Sequence, residues 1–327
     1  MSRAAARAVL PVLAAIFACI DFSGPAMAAP DGATLLCAGA MLGAAEVEEV
    51  APGLFVRQGV DALMSAQNSG AIANIGFIIG ERAVAVIDSG GSYCDGERLR
   101  LAVRAHSRLP IAYVINTHVH PDHIFGNAAF ADQGAVFVGH RNLEGDMAAR
   151  GDYYMRAFTD LMGAAAIAGT KIIAPGEAVD GESVLDLGGR KLILTAHRKA
   201  HTGSDLSVYD EKTRTLWAGD LVFLHHIPVL DGNLRGWQAV MDDLARLPAV
   251  RVVPGHGPVT APWPEALEAQ RRYFETLAAD LRSYIDAGGG MIEASKHIAV
   301  EEAARWTLHG DFHERNVNKG FAELEWE

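Results

Sequence analysis

One short stretch constrains this chain more than any other: Thr117-His118-Val119-His120-Pro121-Asp122-His123, directly after the apolar run Ile111 to Ile115 and Asn116. Three imidazoles and a carboxylate packed this densely at the end of a buried strand suit Zn²⁺, with iron or manganese as less favoured alternatives. Alternation along an extended turn lets His118 and His120 point to one side. Asp122 and His123 can then turn toward a second position nearby. Three later sites fit the same scheme, each at a strand end. His201 lies in Ala200-His201-Thr202-Gly203, Asp220 follows Leu216-Trp217-Ala218-Gly219, and His256 sits in Pro254-Gly255-His256-Gly257 after Arg251-Val252-Val253. A lone histidine is more often a satisfied core or surface group, but four such elements in this order are hard to obtain by chance.

The rest of the chain reads as a frame for those strand ends. Leu54 to Val56, Ala71 to Ile79 and Ala83 to Ile87 are short apolar runs broken by glycine, the signature of strands. Residues 96–106 are helically spaced, Ile111 to Ile115 and Ala135 to Val138 are strands, and 140–168 is helical. Strands at Lys191 to Thr195, Leu206 to Tyr209 and Thr215 to Ala218 follow, then a helix over 235–246 and the strand Arg251 to Val253. After Pro262 the texture changes. Leu267, Phe274, Leu277, Leu281 and Ile285 mark an amphipathic helix that stops at Gly288-Gly289-Gly290, and a second, weaker helix closes the tail. Strands, helix, strand, helix, repeated once, predicts an α/β fold: two sheets with helices outside, an αββα sandwich.

With 327 residues, half of them hydrophobic, the chain can bury a full-sized core, and with no low-complexity tract disorder is excluded as its main state. A formal charge of −12 repels phosphate backbones, so no nucleic-acid partner is expected. Residues 1–28 read as a signal peptide: Arg3 and Arg7, the apolar run Ala8 to Ile20, then Ala26-Met27-Ala28 as cleavage site. Phe17 just before Cys19 argues against lipidation. The mature protein is therefore expected in the periplasm or secreted, cleaved near Ala28, with no stable membrane span. The expected division is a lead-in at 29–50, a main domain at 51–262 and a helical C-terminal extension at 263–327. Export leaves Cys37 and Cys94, which either pair or remain two thiols.

The order HxHxDH, histidine before Thr-Gly, Gly-Asp, Gly-His-Gly resembles the metallo-β-lactamase fold over roughly residues 50–260, with extra C-terminal helices beyond it. The resemblance implies that His118, His120 and His201 hold one metal, that Asp122, His123 and His256 hold the other, and that Asp220 bridges them. Asp88, in Val86-Ile87-Asp88-Ser89-Gly90, matches an aspartate that supports the metal loop. The turn before the third ligand departs from the family's usual Thr-Pro-Gly, which makes His197 a rival; Thr202-Gly203 favours His201. True metallo-β-lactamases lack the bridging aspartate, whereas hydroxyacylglutathione hydrolases (glyoxalase II), lactonases and related hydrolases keep it. The ligand set is thus similar to that of glyoxalase II, although the tail shows no match to its glutathione-binding residues. Three runs, Ile72 to Phe77, His226 to Gly232 and Ala322 to Trp326, resemble the exported subgroup linked to quinoprotein (PQQ) dehydrogenases and sulfur oxidation, which implies a quinoprotein dehydrogenase as partner.

The implied chemistry is hydrolysis of an ester, thioester, lactone or amide of a small acyl substrate. Two zinc ions would share a water and lower its pKa toward roughly 7, with Asp122 and Asp220 orienting the nucleophile. No GxSxG-type nucleophile motif competes. Two other readings stand beside it: a persulfide dioxygenase-like sulfur oxidation enzyme with a single iron, and a non-catalytic exported partner of a dehydrogenase. His225 and His226 either reach substrate or form a surface or supporting pair. Tyr153 and Tyr154 read as packing, and the loops around 60–72, 140–170 and 223–235 are expected to set selectivity.

Overall fold

The computed structural model describes residues 37 and 43–326; the expected signal peptide at 1–28 lies outside them. Two sheets face one another. The first contains, in spatial order, β1 (Glu48–Ala51), β2 (Leu54–Arg57), β3 (Ile75–Ile79), β4 (Val84–Ile87), β5 (Ile111–Ile115), β6 (Val136–His140) and β7 (Glu177–Val179). It is antiparallel up to β4 and parallel from there on. The second runs β13 (Ala261–Pro262), β12 (Arg251–His256), β11 (Thr215–Phe223), β10 (Leu206–Asp210), β9 (Lys191–Ala196) and β8 (Glu182–Asp186). Its one parallel pair is β11 with β12.

The period-2 alternation of a strand explains how each sheet of this four-layered sandwich offers an apolar face to both its neighbours. In β4, Ala85 and Ile87 face the second sheet, where Leu192, Leu194, Val208 and Trp217 meet them. Val84 and Val86 face outward onto Leu99, Ala102 and Val103 of helix α1 (Tyr93–His106). A strand buried on both faces must be apolar throughout, which is why β4 and β11 read as continuous runs. The short α2 (Pro121–Ile124) and a 3₁₀ segment (Phe125–Gln133) follow β5; α3 (Leu143–Met162) and α4 (Ala164–Ile167) follow β6. Outside the second sheet lie α5 (Leu234–Ala245), α6 (Glu268–Asp286), the single turns α7 (Met291–Ala294) and α8 (Val300–Ala303), and α9 (His309–Leu324). Trp237, Phe274, Leu277, Leu281, Val317 and Phe321 from these helices pack on Leu216, Ala218 and Val252 of the sheet. The expected αββα sandwich with extra C-terminal helices is the observed architecture.

The differences from the sequence reading have local causes. The run Ala71 to Ile79 is strand only from Ile75, because the Asn74 backbone N–H donates to the Gly255 carbonyl at 2.7 Å instead of joining a ladder, and its side-chain amide donates to the carbonyls of Pro254 and Pro258. The stretch 140–168 breaks at Gly163, whose φ of +87° cannot continue a helix. Strands β1, β7 and β8 were not legible, since their mixed burial leaves no clean apolar alternation. Cys37 and Cys94 form a disulfide that ties the start of the described chain to α1.

Candidate metal centre

The chemistry-bearing residues collect where strands of both sheets end on one side of the sandwich. Asp88 follows β4, His118 to His123 follow β5, Asp220 lies near the end of β11, and His256 closes β12. His201 enters from the loop between β9 and β10. The parallel pairing of β11 with β12 sets Phe223 against His256, with a register shift at Gly219. Gly255 lies so close to Asp220 that a Cβ there would stand 1.9 Å from its Oδ1. Glycine is required at this crossing because any side chain would occupy the carboxylate's place.

Each of the five histidines has one ring nitrogen tied to an oxygen and the other aimed inward. His123 Nδ1 lies 2.8 Å from Asp88 Oδ2, and His118 Nδ1 lies 3.0 Å from Thr117 Oγ1, whose hydroxyl donates to the same Asp88 carboxylate at 2.8 Å. His201 Nδ1 donates to the Val229 carbonyl at 2.7 Å and His256 Nδ1 to the Ile72 carbonyl at 3.1 Å. His120 is anchored by the opposite nitrogen, Nε2, on Asp231 at 3.2 Å. The outer acceptors require N–H there, so the inner nitrogens present lone pairs, the arrangement that orients imidazoles as metal ligands.

Those lone pairs converge. One ligand atom from each of His118, His120, His201 and Asp220 lies within 4.8 Å of the others, and the same holds for Asp122, His123 and His256. His201 Nε2 and His120 Nδ1 are 2.9 Å apart, two acceptors facing each other. Asp220 spans both groups: its Oδ2 is 3.3 Å from His201 Nε2 and 3.4 Å from His256 Nε2, while Oδ1 is 3.1 Å from His123 Nε2. Yet His118 Nε2, His123 Nε2 and Asp220 Oδ1 are buried without a hydrogen-bond partner. Buried polar atoms left unpaired are costly, and acceptors aimed at acceptors are repulsive unless cations lie between them. The residues therefore fit two metal ions.

The electrostatics agree. Burial alone would raise Asp220, but the His256, His123 and His118 rings around it hold its carboxyl well below the usual range. Asp122 is held down in the same way, by His123 and His256 against the effect of burial. Burial pushes His201 down to about 3 and His118 well below its ordinary value. His256 goes the other way, to about 9, and His123 well above its ordinary value, because Asp220 and Asp122 outweigh burial; these are the protons that bound cations would displace to engage the lone pairs. Two ionised, buried carboxylates call for compensating positive charge at this position.

Of the other residues raised by the sequence, Asp88 sits beneath the centre as expected. His197 is not in either group: its Nε2 lies 2.7 Å from Ser207 Oγ. The neighbouring histidines divide. His226 is buried, with its ring 5.1 Å from that of His256, while His225 is exposed near Asp61.

Above the centre opens a cavity of about 660 Å³, with Asp122, His120, Asp220 and His256 at its floor. Its walls come from the three expected loops and from a source the sequence reading did not single out, Phe312 and Arg315 of α9. Tyr153 and Tyr154 line it as well; Tyr154 also packs with Met147 and Leu143, so only part of its role is packing. Asp231 is the second addition. It accepts from His120, Arg150 and Arg315, and its carboxyl, raised by burial but pulled down further by His120 and Arg150, lies well below the usual range.

Fold and site together define an α/β protein built around a histidine- and aspartate-rich metal centre. A family profile described as the Metallo-beta-lactamase superfamily matches residues 69–256, more than half of the chain. The chain belongs to the metallo-β-lactamase superfamily, whose members are mostly hydrolases. No curated protein matches it in sequence. Among solved structures, it is similar to a metallo-β-lactamase from Pontibacter korlensis at 20% identity and a TM-score of 0.57, over 70% of this chain and 98% of that one. The stereoselective inverting sec-alkylsulfatase Pisa1 from Pseudomonas sp. matches at 16% identity and a TM-score of 0.62, over 86% of this chain and 50% of that one. A metallo-β-lactamase from Hirschia baltica matches at 18% identity and a TM-score of 0.55, over 71% and 97%. At these identities the likeness establishes the fold alone.

Proposed function

We propose that the protein is an exported dinuclear zinc hydrolase that cleaves an ester, thioester, lactone or amide bond of a small acyl substrate. The observation that carries this reading is the set of five imidazoles, each anchored by its outer nitrogen and presenting the other to two buried carboxylates. His118, His120 and His201 would hold one ion, Asp122, His123 and His256 the other, and Asp220 would bridge them. Bound there, zinc would supply Lewis acidity and lower the pKa of a bound water toward roughly 7. Asp122 and Asp220 would orient the nucleophile as well as hold metal. Asp88 positions His123 directly and His118 through Thr117. The apolar walls, with Leu63, Met64, Phe158 and Val229, exclude bulk water from the reacting bond.

The bridging aspartate aligns the site with glyoxalase II-like hydrolases more than with antibiotic-degrading ones. The runs Ile72 to Phe77, His226 to Gly232 and Ala322 to Trp326 support placement in the exported quinoprotein-linked subgroup, with a quinoprotein dehydrogenase as the proposed partner. The Cys37–Cys94 disulfide supports an oxidising compartment, and among the described residues no helix is long and apolar enough to cross a membrane. The test is turnover by the purified protein of a panel of thioesters, lactones, aryl esters and β-lactams, beside Asp220→Ala. Cleavage of at least one class that disappears in Asp220→Ala is expected. Turnover that survives that substitution, or oxygen-dependent consumption of persulfides in its place, would overturn the reading.

A further inference from the structure

Helix α3 and helix α9 lie far apart in sequence, yet each sends one arginine to the same carboxylate at the cavity wall. Arg150 donates through Nη1 to Asp231 Oδ2 and, at 3.3 Å, to the Tyr154 hydroxyl. Arg315 donates through Nη2 to Asp231 Oδ1 at 2.7 Å. Two guanidiniums thus share one carboxylate and leave a net positive charge. Among the described residues the remaining N–H groups of both forks carry no protein partner. Both side chains line the cavity and stay partly open to solvent, at 35% and 51% exposure. Asp231 in turn holds His120, so the cationic pair stands one side chain from the metal floor.

The pair is rigidly mounted. Asn316, next to Arg315, accepts from the Leu230 amide at 2.8 Å and donates to the Pro228 carbonyl at 2.6 Å. Glu323, further along α9, accepts from the amides of Leu234 and Arg235 at the start of α5. These contacts lock the helix that carries Arg315 to the loop that carries Asp231. Around the pair the cavity is apolar: Phe312 lies one turn before Arg315, and Tyr153 and Leu161 stay largely exposed at the mouth. In a chain of net charge −12, which repels anions at long range, this local cationic pair facing a cavity marks a place where an anionic group can be held.

We propose that Arg150 and Arg315 form an oxyanion clamp, so that the substrate is an acyl compound with an apolar body and a carboxylate away from the bond to be cleaved. This rests on the hydrolase reading for the word substrate, but the clamp itself is a binding property. Bidentate guanidinium recognition of a carboxylate provides the geometry, and the apolar walls take the body of the molecule. Arg315 and Phe312 lie outside the family-matched residues 69–256, so this chain's C-terminal helix supplies one arm of the clamp, while Arg150 and Asp231 lie within the matched region.

Two probes that cannot be hydrolysed separate the clamp from the chemistry: 3-phenylpropionate and its neutral near-isostere 4-phenylbutan-2-one. Binding of each to the zinc-loaded full chain is measured by calorimetry at about 0.15 M salt, where long-range steering is largely screened. The acid is expected to bind more tightly than the ketone. Arg315→Gln should lower acid affinity roughly tenfold, and adding Arg150→Gln should lower it further, with ketone affinity unchanged. Arg141→Gln, which removes an exposed charge paired with Asp180, controls for net charge and should change neither. Equal binding of the two probes by the wild type overturns the clamp. So does acid affinity that survives in the double variant, because the carboxylate would then be held by the metals. If the acid binds through the arginines while no paired ester is cleaved, the clamp stands and the hydrolase reading falls. If 4-nitrophenyl butyrate and 4-nitrophenyl hydrogen glutarate are cleaved equally by wild type and variants, the clamp falls and the hydrolase reading stands.

Discussion

The floor and the wall of the cavity are built on different principles. The floor is made of strand ends: β4, β5, β11 and β12 stop at one level, and the residues just past or within those ends are Asp88, the His118 to His123 cluster, Asp220 and His256. Its geometry follows from the sheets, because ladder pairing fixes the backbone and a single shift would displace every donor. The wall comes from the loop 60–72, α3, the loop 223–235 and α9, elements far apart in sequence that meet only in the tertiary fold. A floor of this kind can be shared across a superfamily while the wall changes from one member to the next. That division places reaction type in the floor and substrate choice in the wall.

The division can be broken from either side. Asp220→Ala attacks the floor at its centre, because Asp220 spans both ligand groups. Loss of turnover should exceed the roughly hundredfold typical of removing a supporting partner, and elemental analysis should show metal lost with it. Asp88→Ala removes the acceptor beneath His123 and Thr117 without touching a ligand position. A drop of roughly 10–100-fold in zinc affinity is expected, read by competition with a chelator, and an unchanged affinity would separate Asp88 from the centre.

The next two changes strike the wall. Asn316→Ala strips the Leu230 amide and Pro228 carbonyl of their side-chain partner in a fully buried position. Chemical denaturation should register a loss of about 1–3 kcal/mol, while metal content stays at the wild-type value. Metal loss in this variant would show that wall and floor are not separable. The smallest effect is expected from Tyr153→Ser. With Tyr153 62% exposed at the mouth, stability should stay within about 0.5 kcal/mol. KM for apolar esters should rise and kcat should hold.

How much of this was legible in the sequence follows the same line. Six of the seven ligand residues stand in ordered motifs at or near strand ends, His201 instead enters from the loop between β9 and β10, and the structure gathers His118, His120, His201 and Asp220 in one group and Asp122, His123 and His256 in the other. The sandwich was readable because strands buried on both faces must be apolar. Arg150, Asp231 and Arg315 carried no such mark. Each is an ordinary charged residue in its own segment, and their meeting depends on Asn316 and Glu323 fastening a C-terminal helix to a distant loop. Asp231 was visible only as part of the run His226 to Gly232. Asp88 and His201 were placed by resemblance, and the hydrogen bond from Asp88 to His123 now supplies the reason for the first. For His201 the reason is the tie to Val229, which turns Nε2 toward His120.

The central claim is that the converging lone pairs exist to hold two metal ions, and it is tested most directly by counting them. Elemental analysis of the protein, purified without chelator and without added metal, should find about two equivalents of zinc per chain. One equivalent of iron, or no metal with all seven ligand residues intact, would contradict the account.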